Sequence, residues 1–462
     1  MNKTTSKYIS VIIALLVSFA VGSCKLGQKY TRPQVYMPQQ FEPEFEADSF
    51  SIAEMQWWEI YTDTTLQNLI RVTIANNKEL KIAEAKVKEM AARKRVNTAS
   101  LYPQINGNAY TQKEALNYGG DNYSNDPEIG IKAALSWEVD LWGNLRWAND
   151  ESKAKVLGSI ENHRAVLISL IARVAQDYFE LVAMDNELSI VRQTLKAREE
   201  GVRLAKLRFE GGLTAETSYQ QAQMEYARTA THLPVLERDI AMMENEIAYL
   251  SGNLDFKISR SRSLGDIADI ISLPVGLPST LLERRPDVRA AEQSLIAANA
   301  AVGVAYTNRF PRLTLTAQYG VESEEFSNLF KSPMYFLSGA LLGPIFDMGR
   351  RQGAYRAQQH VYEQECYNYE KTVMNAFTEA RNAIVAFNKT KSICEAMAQL
   401  EKSSKTTMEL AQLQYINGVI GYLDVLDAQR SYFDAQVGLS NALCGKQLAL
   451  VQLYKALGGG WQ

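Results

Sequence analysis

Residues Leu413–Tyr432 read LQYINGVIGYLDVLDAQRSY. Asn417-Gly418 stops one helical run, Gly421 follows, and a new run begins that carries Asp424 and Asp427 on one face. Asn and Gly tolerate the left-handed backbone that closes a helix, so the stretch predicts a sharp reversal between two helices. It has an echo in Leu207–Tyr226, LRFEGGLTAETSYQQAQMEY. Leu207, Phe209, Gly212, Ala222-Gln223 and Tyr226 match Leu413, Tyr415, Gly418, Ala428-Gln429 and Tyr432 at a constant offset of 206 residues.

The duplication extends outward from these reversals. Glu79–Pro103 aligns with Asp287–Pro311: Ala83-Glu84 matches Ala291-Glu292, and Tyr102-Pro103 matches Phe310-Pro311. Leu141-Trp142-Gly143 is echoed by Asp347-Met348-Gly349. Each half predicts helix, strand, strand, long helix, reversal, helix. The long helices are expected over 145–210 and 350–415, each roughly 95–100 Å at 1.5 Å per residue. Their seams, Leu167-Ile171-Val174-Tyr178-Leu181 and Val373-Phe377-Ala380-Ile384-Phe387, have the 4-3-4-3 spacing of coiled coils. The helix after the first reversal is interrupted by Pro234 and ends near Leu250. The leading helices are expected over 63–99 and from 287, and the last one ends near Leu457.

The clearest strand is 128–141, where Ile129, Ile131, Ala133, Leu135, Trp137, Val139 and Leu141 alternate with mostly polar residues. That gives one apolar wall, long enough to cross a bilayer when tilted; a half-buried strand of a soluble sheet has the same period. Residues 313–322 alternate likewise, 104–114 weakly, and 333–348 are apolar on both faces. Segment 117–127 (NYGGDNYSNDP) reads as a polar hairpin tip and lacks the acidic spacing of a calcium loop. Two strands per half leave open edges, and cyclic assembly of several chains removes them.

The chain has 462 residues, 46% apolar and 22% charged, with a net charge of −3, so no basic field suggests nucleic acid. Lys3 and Lys7 precede an apolar run from Ile9 to Val21, which reads as a secretory signal over 1–23. Cys24 then stands where cleavage would expose it, and Val21-Gly22-Ser23-Cys24 reads as a lipobox. Cys366, Cys394 and Cys444 remain, an odd number with no zinc spacing. His163, His232 and His360 are isolated on helices. No P-loop, G-x-S-x-G, H-E-x-x-H or C-x-x-C occurs. The sequence therefore suggests no catalysis, no cofactor and no metal.

Several pieces together resemble the TolC-type outer-membrane efflux channels, specifically the lipidated OprM/NodT-like branch. They are the lipobox at Cys24, Tyr30-Thr31-Arg32-Pro33, Trp57-Trp58, LLERRPDVRAAEQSL at 281–295, LGPIFDMGRR at 342–351 and YLDVLDAQRSY at 422–432. The resemblance covers nearly all of the mature chain. It implies an α+β membrane protein, internally duplicated, with a long α-helical coiled-coil barrel continued by a transmembrane β-barrel. Four strands per chain would give twelve in a homotrimer. The expected organisation is signal peptide 1–23, lipidated leader 24–62, first repeat 63–252, connector 253–280, second repeat 281–457 and tail 458–462.

The resemblance also implies roles for the opening stretch. From residues alone, Asp424 and Asp427 read as acids near a helix N-terminus, where the dipole favours them. In the family, aspartates here ring the narrow periplasmic mouth, and such a ring draws cations. Leu423 falls at an apolar gate position, Arg430 is expected to pair with Asp427, and Tyr415 matches a tyrosine that helps hold the closed state. Ile420 stands where some members have a latch arginine, so that latch does not carry over. Gly211, Gly212 and Leu213, with Asn417, Gly418 and Val419, become tips that meet a periplasmic adaptor (membrane fusion) protein. The function implied is the outer-membrane exit duct of a tripartite efflux pump, passive itself and energised by an inner-membrane RND-type transporter. Its partners would be that transporter, the adaptor, two further copies of the chain and outer-membrane lipid. A type I protein-secretion duct shares the fold. A periplasmic coiled-coil scaffold lipoprotein would explain the helices but not the alternating strands, and a lipoprotein enzyme would need site chemistry that is missing.

Overall fold

A computed structural model describes residues 25–38, 52–116, 124–260 and 281–460. The signal 1–23, Cys24, part of the leader, residues 117–123, the connector beyond Arg260 and the last two residues lie outside the described residues, while 124–127, expected in the hairpin tip 117–127, belong to strand. The elements are α1 (Trp57–Ile60), α2 (Thr64–Asn76), α3 (Lys78–Ala99), β1 (Gln104–Leu116), β2 (Ser124–Val139) and α4 (Asn144–Glu210). Then come α5 (Glu216–Ala230), α6 (His232–Leu250), α7 (Leu281–Arg284), α8 (Pro286–Thr307), β3 (Arg312–Ser323) and β4 (Pro333–Leu342). The chain closes with α9 (Arg350–Ile416) and α10 (Tyr422–Ala456). Both long helices, α4 and α9, are 67 residues.

Three of the boundaries that differ from the sequence expectation have a local reason. The single helix expected over 63–99 is two, because Asn77 leaves helical geometry with ψ 132°. Its side-chain amide donates to Leu250 O at 2.9 Å and its Oδ1 accepts from Leu80 N–H at 3.0 Å, so it caps α3. The break near Pro234 falls at Thr231; a proline has no N–H to give to the carbonyl four residues back. The strand expected over 333–348 ends at Leu342, ahead of Gly343-Pro344. By contrast α10, which has no proline, runs unbroken for 35 residues.

The strands form one antiparallel sheet in the order β1-β2-β3-β4. Its centre joins the two repeats, with Ile131 opposite Val321 and Trp137 opposite Leu315. One face carries Ile129, Ile131, Ala133, Leu135, Trp137 and Val139 beside Leu313, Leu315, Ala317, Tyr319, Val321, Leu337 and Leu341. Several of these apolar side chains are open, Tyr319 at 70% and Leu337 at 75% exposure. The opposite face carries Tyr110, Gln112, Glu128, Lys132, Glu322, Gln318 and Thr316. An exposed apolar face backed by a polar one is the pattern of a barrel wall between lipid and lumen. No described helix is long and apolar enough to cross a membrane.

By contacts the chain divides into two compact units that cut across the repeats: Met1–Gln34, Ala85–Ile160 and Ala290–Lys371 form the first, the remainder the second. In the first unit, the aromatics that read as repeat markers are structural pegs. The Trp142 indole N–H donates to Pro311 O at 2.7 Å, and its ring lies 5.2 Å from Phe310. Trp147 is 5% exposed and donates to Leu26 O at 2.6 Å; only a glycine at 303 fits under its ring, since a Cβ there would lie 2.4 Å away. The leader is held by Arg32, which gives two hydrogen bonds of 2.6 Å to Glu292, while Tyr30 donates to the same carboxylate at 3.1 Å.

The second unit holds an apolar core of Trp57, Leu66, Ile70, Ile171, Val174, Tyr178, Phe179, Leu181, Ile247, Ile384 and Val451. The seam residues expected on α4 are thus largely in it. Asp63 caps α2 by accepting from Thr65 N–H at 2.7 Å and also accepts from the buried Tyr178 hydroxyl at 2.7 Å. Arg285 donates to Ala456 O, Asp287 and Glu379 at 2.6–3.0 Å. Of the Trp57-Trp58 pair, Trp57 is buried and Trp58 is exposed.

Candidate gate at the two helix reversals

Both reversals close in the same way. At the first, Gly212 N–H donates to Phe209 O at 2.9 Å and Leu213 N–H to Arg208 O at 2.9 Å. At the second, Gly418 N–H donates to Tyr415 O at 3.1 Å and Val419 N–H to Gln414 O at 2.9 Å. These are Schellman closures, which need a left-handed residue, and Gly212 and Gly418 supply it with φ of +72° and +74°. Gly211, Gly212, Leu213, Asn417, Gly418 and Val419 are all exposed, and Leu213 and Val419, at matching positions, stand 76% and 70% open.

The helix after the second reversal sorts its residues by face. Val425, Leu426 and Ala428 are buried; Leu423, Asp424 and Asp427 are exposed. The Asp424 carboxylate accepts from Gly421 N–H at 3.0 Å, so it caps the helix start while remaining at the surface. Tyr415 lies 5.3 Å from the Tyr422 ring, and the Arg208 guanidinium sits over Tyr415 at 4.6 Å. Burial raises the Tyr422 hydroxyl above its ordinary pKa, Tyr415 adding to it. Ile420 is half-buried.

One expectation is corrected. Arg430 does not go to Asp427; its Nη2 donates to Glu225 on α5 at 2.7 Å. Arg198 on α4 donates from Nη1 to Glu225 O at 2.7 Å, to Glu225 Oε2 at 3.1 Å and to Thr229 Oγ1. The buried carboxylate outcompetes an exposed one because it stands in a lower dielectric. Burial lowers the Arg198 pKa, whereas the Glu225 hydrogen bond is the main cause of a raised Arg430. Sequence reasoning missed Arg198 and Glu225. The available signal was a charge on a seam: Ala222, Glu225 and Thr229 are spaced 3-4 and all buried.

Among the described residues no group of His, Cys, Asp or Glu is placed to hold a metal ion. Long duplicated helices with twin reversals, and a sheet with one exposed apolar face, define a subunit of an outer-membrane channel. The chain belongs to the outer membrane efflux protein family, whose model matches residues 69–253 and 277–459. It is 30% identical over 459 residues to the cation efflux system protein CusC of Escherichia coli O6:H1, covering 98% of this chain and 99% of that one. It is 31% identical over 461 residues to the outer membrane protein OprJ of Pseudomonas aeruginosa, covering 97% and 96%. The crystal structure of CusC superposes with a TM-score of 0.86 at 29% identity, covering 95% of this chain and 100% of that one. The outer-membrane channel OprN gives 0.90 at 25% identity with the same coverage. The chain is accordingly an outer-membrane exit duct for tripartite efflux, with a long periplasmic part, and not an enzyme.

Proposed function

We propose that three copies of this chain, each lipidated at Cys24, form one duct that carries small toxic molecules from the periplasm to the exterior. The repeats 63–252 and 281–457 are its two halves, with 24–62 as leader, 253–280 as connector and 458–462 as tail. An adaptor joins it at the reversal tips to an inner-membrane RND-type transporter. Support for closure by further copies comes from the sheet, in which β1 and β4 each pair on one side only among the described residues. The packing agrees: the turn after β2 is pegged by Trp142, but its echo after β4 leaves Ile345, Phe346 and Met348 exposed at 103%, 82% and 85%. Tyr102 and Pro103, the echo of the peg's receiving site, stand exposed at the other edge, Tyr102 at 64%, a fit for that turn in the next copy.

The gate reading rests on one observation, the exposed trio Leu423, Asp424 and Asp427 beside buried Val425, Leu426 and Ala428. Around a threefold axis that trio places an apolar ring beside two acidic ones, which pass cations and hinder anions. Tyr415 supports the helix start, and Arg430, held by Glu225, ties α10 to α5, the helix after the first reversal. The test is single-channel conductance in a planar bilayer. Asp424→Ala/Asp427→Ala is expected to lose cation selectivity and Leu423→Ser to enlarge the current. Unchanged selectivity would remove the acidic rings while leaving the duct.

A further inference from the structure

We infer that α9 of one copy packs along α3 of the next in a fixed register, with Arg95 laid over Gly353 and Gln364 over Ala85. The inference rests on the reading that further copies close the duct, and it names the residues that join them.

The duplication holds in space as well as in sequence. Within the first unit, Thr98 on α3 donates to Asn149 on α4 at 2.7 Å. At offsets of 208 and 206 residues that pair becomes Tyr306 on α8 and Tyr355 on α9, whose ring centroids lie 5.5 Å apart. So α3 meets α4 as α8 meets α9. The other contact of α4 is with α8, and its echo pairs α9 with α3. A single chain does not supply that contact, because α3 leads into β1 and α9 follows β4, the two edges of the sheet among the described residues. The echo faces are accordingly bare. Ala300, Gly303 and Thr307 on α8 are buried, whereas their counterparts Ala92, Arg95 and Ala99 on α3 are exposed. Gly353 and Gln364 on α9 are exposed too, and a Cβ at Gly353 would meet no atom within 4 Å.

The differences between the contact inside the chain and its echo compensate in pairs. Inside the chain, the Trp147 ring of α4 covers Gly303 of α8, where a Cβ would lie 2.4 Å away. In the echo, Gly353 replaces the ring and Arg95 replaces the glycine, so the large side chain has changed helices. Further from the sheet, a Cβ at Gly158 of α4 would lie 3.4 Å from Gln293 Cβ on α8. The echo sets Gln364 against Ala85, and again the large residue has changed helices. At the start of α4, Asn144 donates to Val304 O at 3.1 Å and to Thr307 Oγ1 at 2.9 Å. Its echo, Arg350, brings a donor to the carbonyl end of α3 at Val96 and Ala99, where the helix dipole favours a cation. Close-packed contacts tolerate exchanges that conserve volume and resist one-sided changes. Two reciprocal exchanges and one retained donor therefore point to a second copy as the occupant of these faces.

The test places cysteines in the full-length protein, with Cys366, Cys394 and Cys444 changed to alanine. Gly158→Cys/Gln293→Cys is the reference inside the chain, since its 3.4 Å between Cβ atoms is near the disulfide mean of about 3.8 Å. On mild oxidation it should close within one chain and produce no covalent oligomer on a denaturing gel. Ala85→Cys/Gln364→Cys should instead join copies covalently, up to the size of the duct. Ala92→Cys/Gln364→Cys, displaced about 10 Å along α3, should not. A second measurement keeps the natural cysteines. Arg95→Gly and Gly353→Trp should each lower the temperature at which the oligomer dissociates. Arg95→Gly/Gly353→Trp, which restores the pairing found inside the chain, should recover most of that loss. Losses that simply add overturn the inference. Intact oligomers in which the matched cysteines join no better than the displaced ones leave these faces to another partner, such as the adaptor, and overturn it while closure by copies stands. A chain that is monomeric by native mass in detergent overturns it together with the reading on which it rests.

Discussion

Arg430 and Glu225 stand 205 residues apart in the chain and meet at 2.7 Å, the guanidinium of α10 donating to a carboxylate that is 1% exposed. The pair ties the helix after the second reversal to the helix after the first. The duplication does not repeat it: at the 206-residue offset Glu225 corresponds to Ser431, Arg430 to Met224 and Arg198 to Ser404. The contact is therefore a feature of how the two hairpins meet and not of either hairpin alone.

Burial pushes the Glu225 carboxyl up, but the Arg430 hydrogen bond and the charges of Arg430, Arg198 and Arg228 outweigh it and hold the group below its ordinary pKa. A depressed carboxyl stabilises the fold above its unfolded value, near pH 4, and that contribution is lost as pH falls through the folded value. Glu225→Gln should cost about 2–3 kcal/mol at pH 7, the loss of a buried pair reduced for the partial exposure of Arg430. The deficit should shrink below about pH 4. Unfolding midpoints of both proteins across pH check this, and a deficit constant from pH 7 to pH 3 would count against the charged pair.

Arg32 grips Glu292 with two hydrogen bonds of 2.6 Å, so the leader is a strap on α8. A forked guanidinium–carboxylate contact with one partner largely buried is worth about 1–2 kcal/mol. Arg32→Ala and Glu292→Gln should each loosen the leader, and the double variant should add little to either one. Trypsin cleavage after Lys29, followed by mass, reads the loosening. Strictly additive effects would mean that the two residues act separately.

Much of this was legible in the sequence, and the misses have physical causes. The duplication, the four strands and the two reversals followed from period and from glycine placement, because those signals are local. The run LLERRPDVRAAE identified a family, but its chemistry is long-range. Arg284 pairs with Glu54, Arg285 with Asp287 and Glu379, Arg289 with Glu161, and Glu292 with Arg32. One short stretch thus fastens several distant segments, and no spacing rule shows which. The Asp427–Arg430 pairing failed for the same reason: proximity along one helix was visible in the sequence, and the better partner on another helix was not. Tertiary hydrogen bonding also decided the break at Asn77, whose side chain reaches Leu250.

Asp63 accepts from the Thr65 N–H at the start of α2 and from the buried Tyr178 hydroxyl, each at 2.7 Å. Asp63→Ala removes a cap worth about 1 kcal/mol and takes a hydrogen-bond acceptor from a buried hydroxyl, at about 1–3 kcal/mol. The expected total is about 2–4 kcal/mol. Tyr178→Phe removes the second contact and leaves the cap in place, and should cost about 1–2 kcal/mol. Thermal unfolding of both variants separates the two contributions, and equal losses would mean that the cap contributes nothing.

Gly212 and Gly418 offer a paired test of the reversals. Each has φ above +70°, and a Cβ at either position would meet no atom within 4 Å. The cost of alanine there is conformational alone, about 1 kcal/mol, and it should be equal at the two sites because both closures use the same hydrogen bonds. Gly421, with φ of −79° and only the Asp424 carboxylate near a new Cβ at 3.6 Å, is the internal control: Gly421→Ala should be close to neutral. Stability measured in detergent gives the folding cost of each change. Adaptor affinity measured on the same proteins then shows whether the tips must keep this backbone to be recognised. An affinity loss at Gly212 or Gly418 beyond the folding cost would support docking at the tips. Wild-type affinity in both variants would place the adaptor's contact elsewhere on the helices.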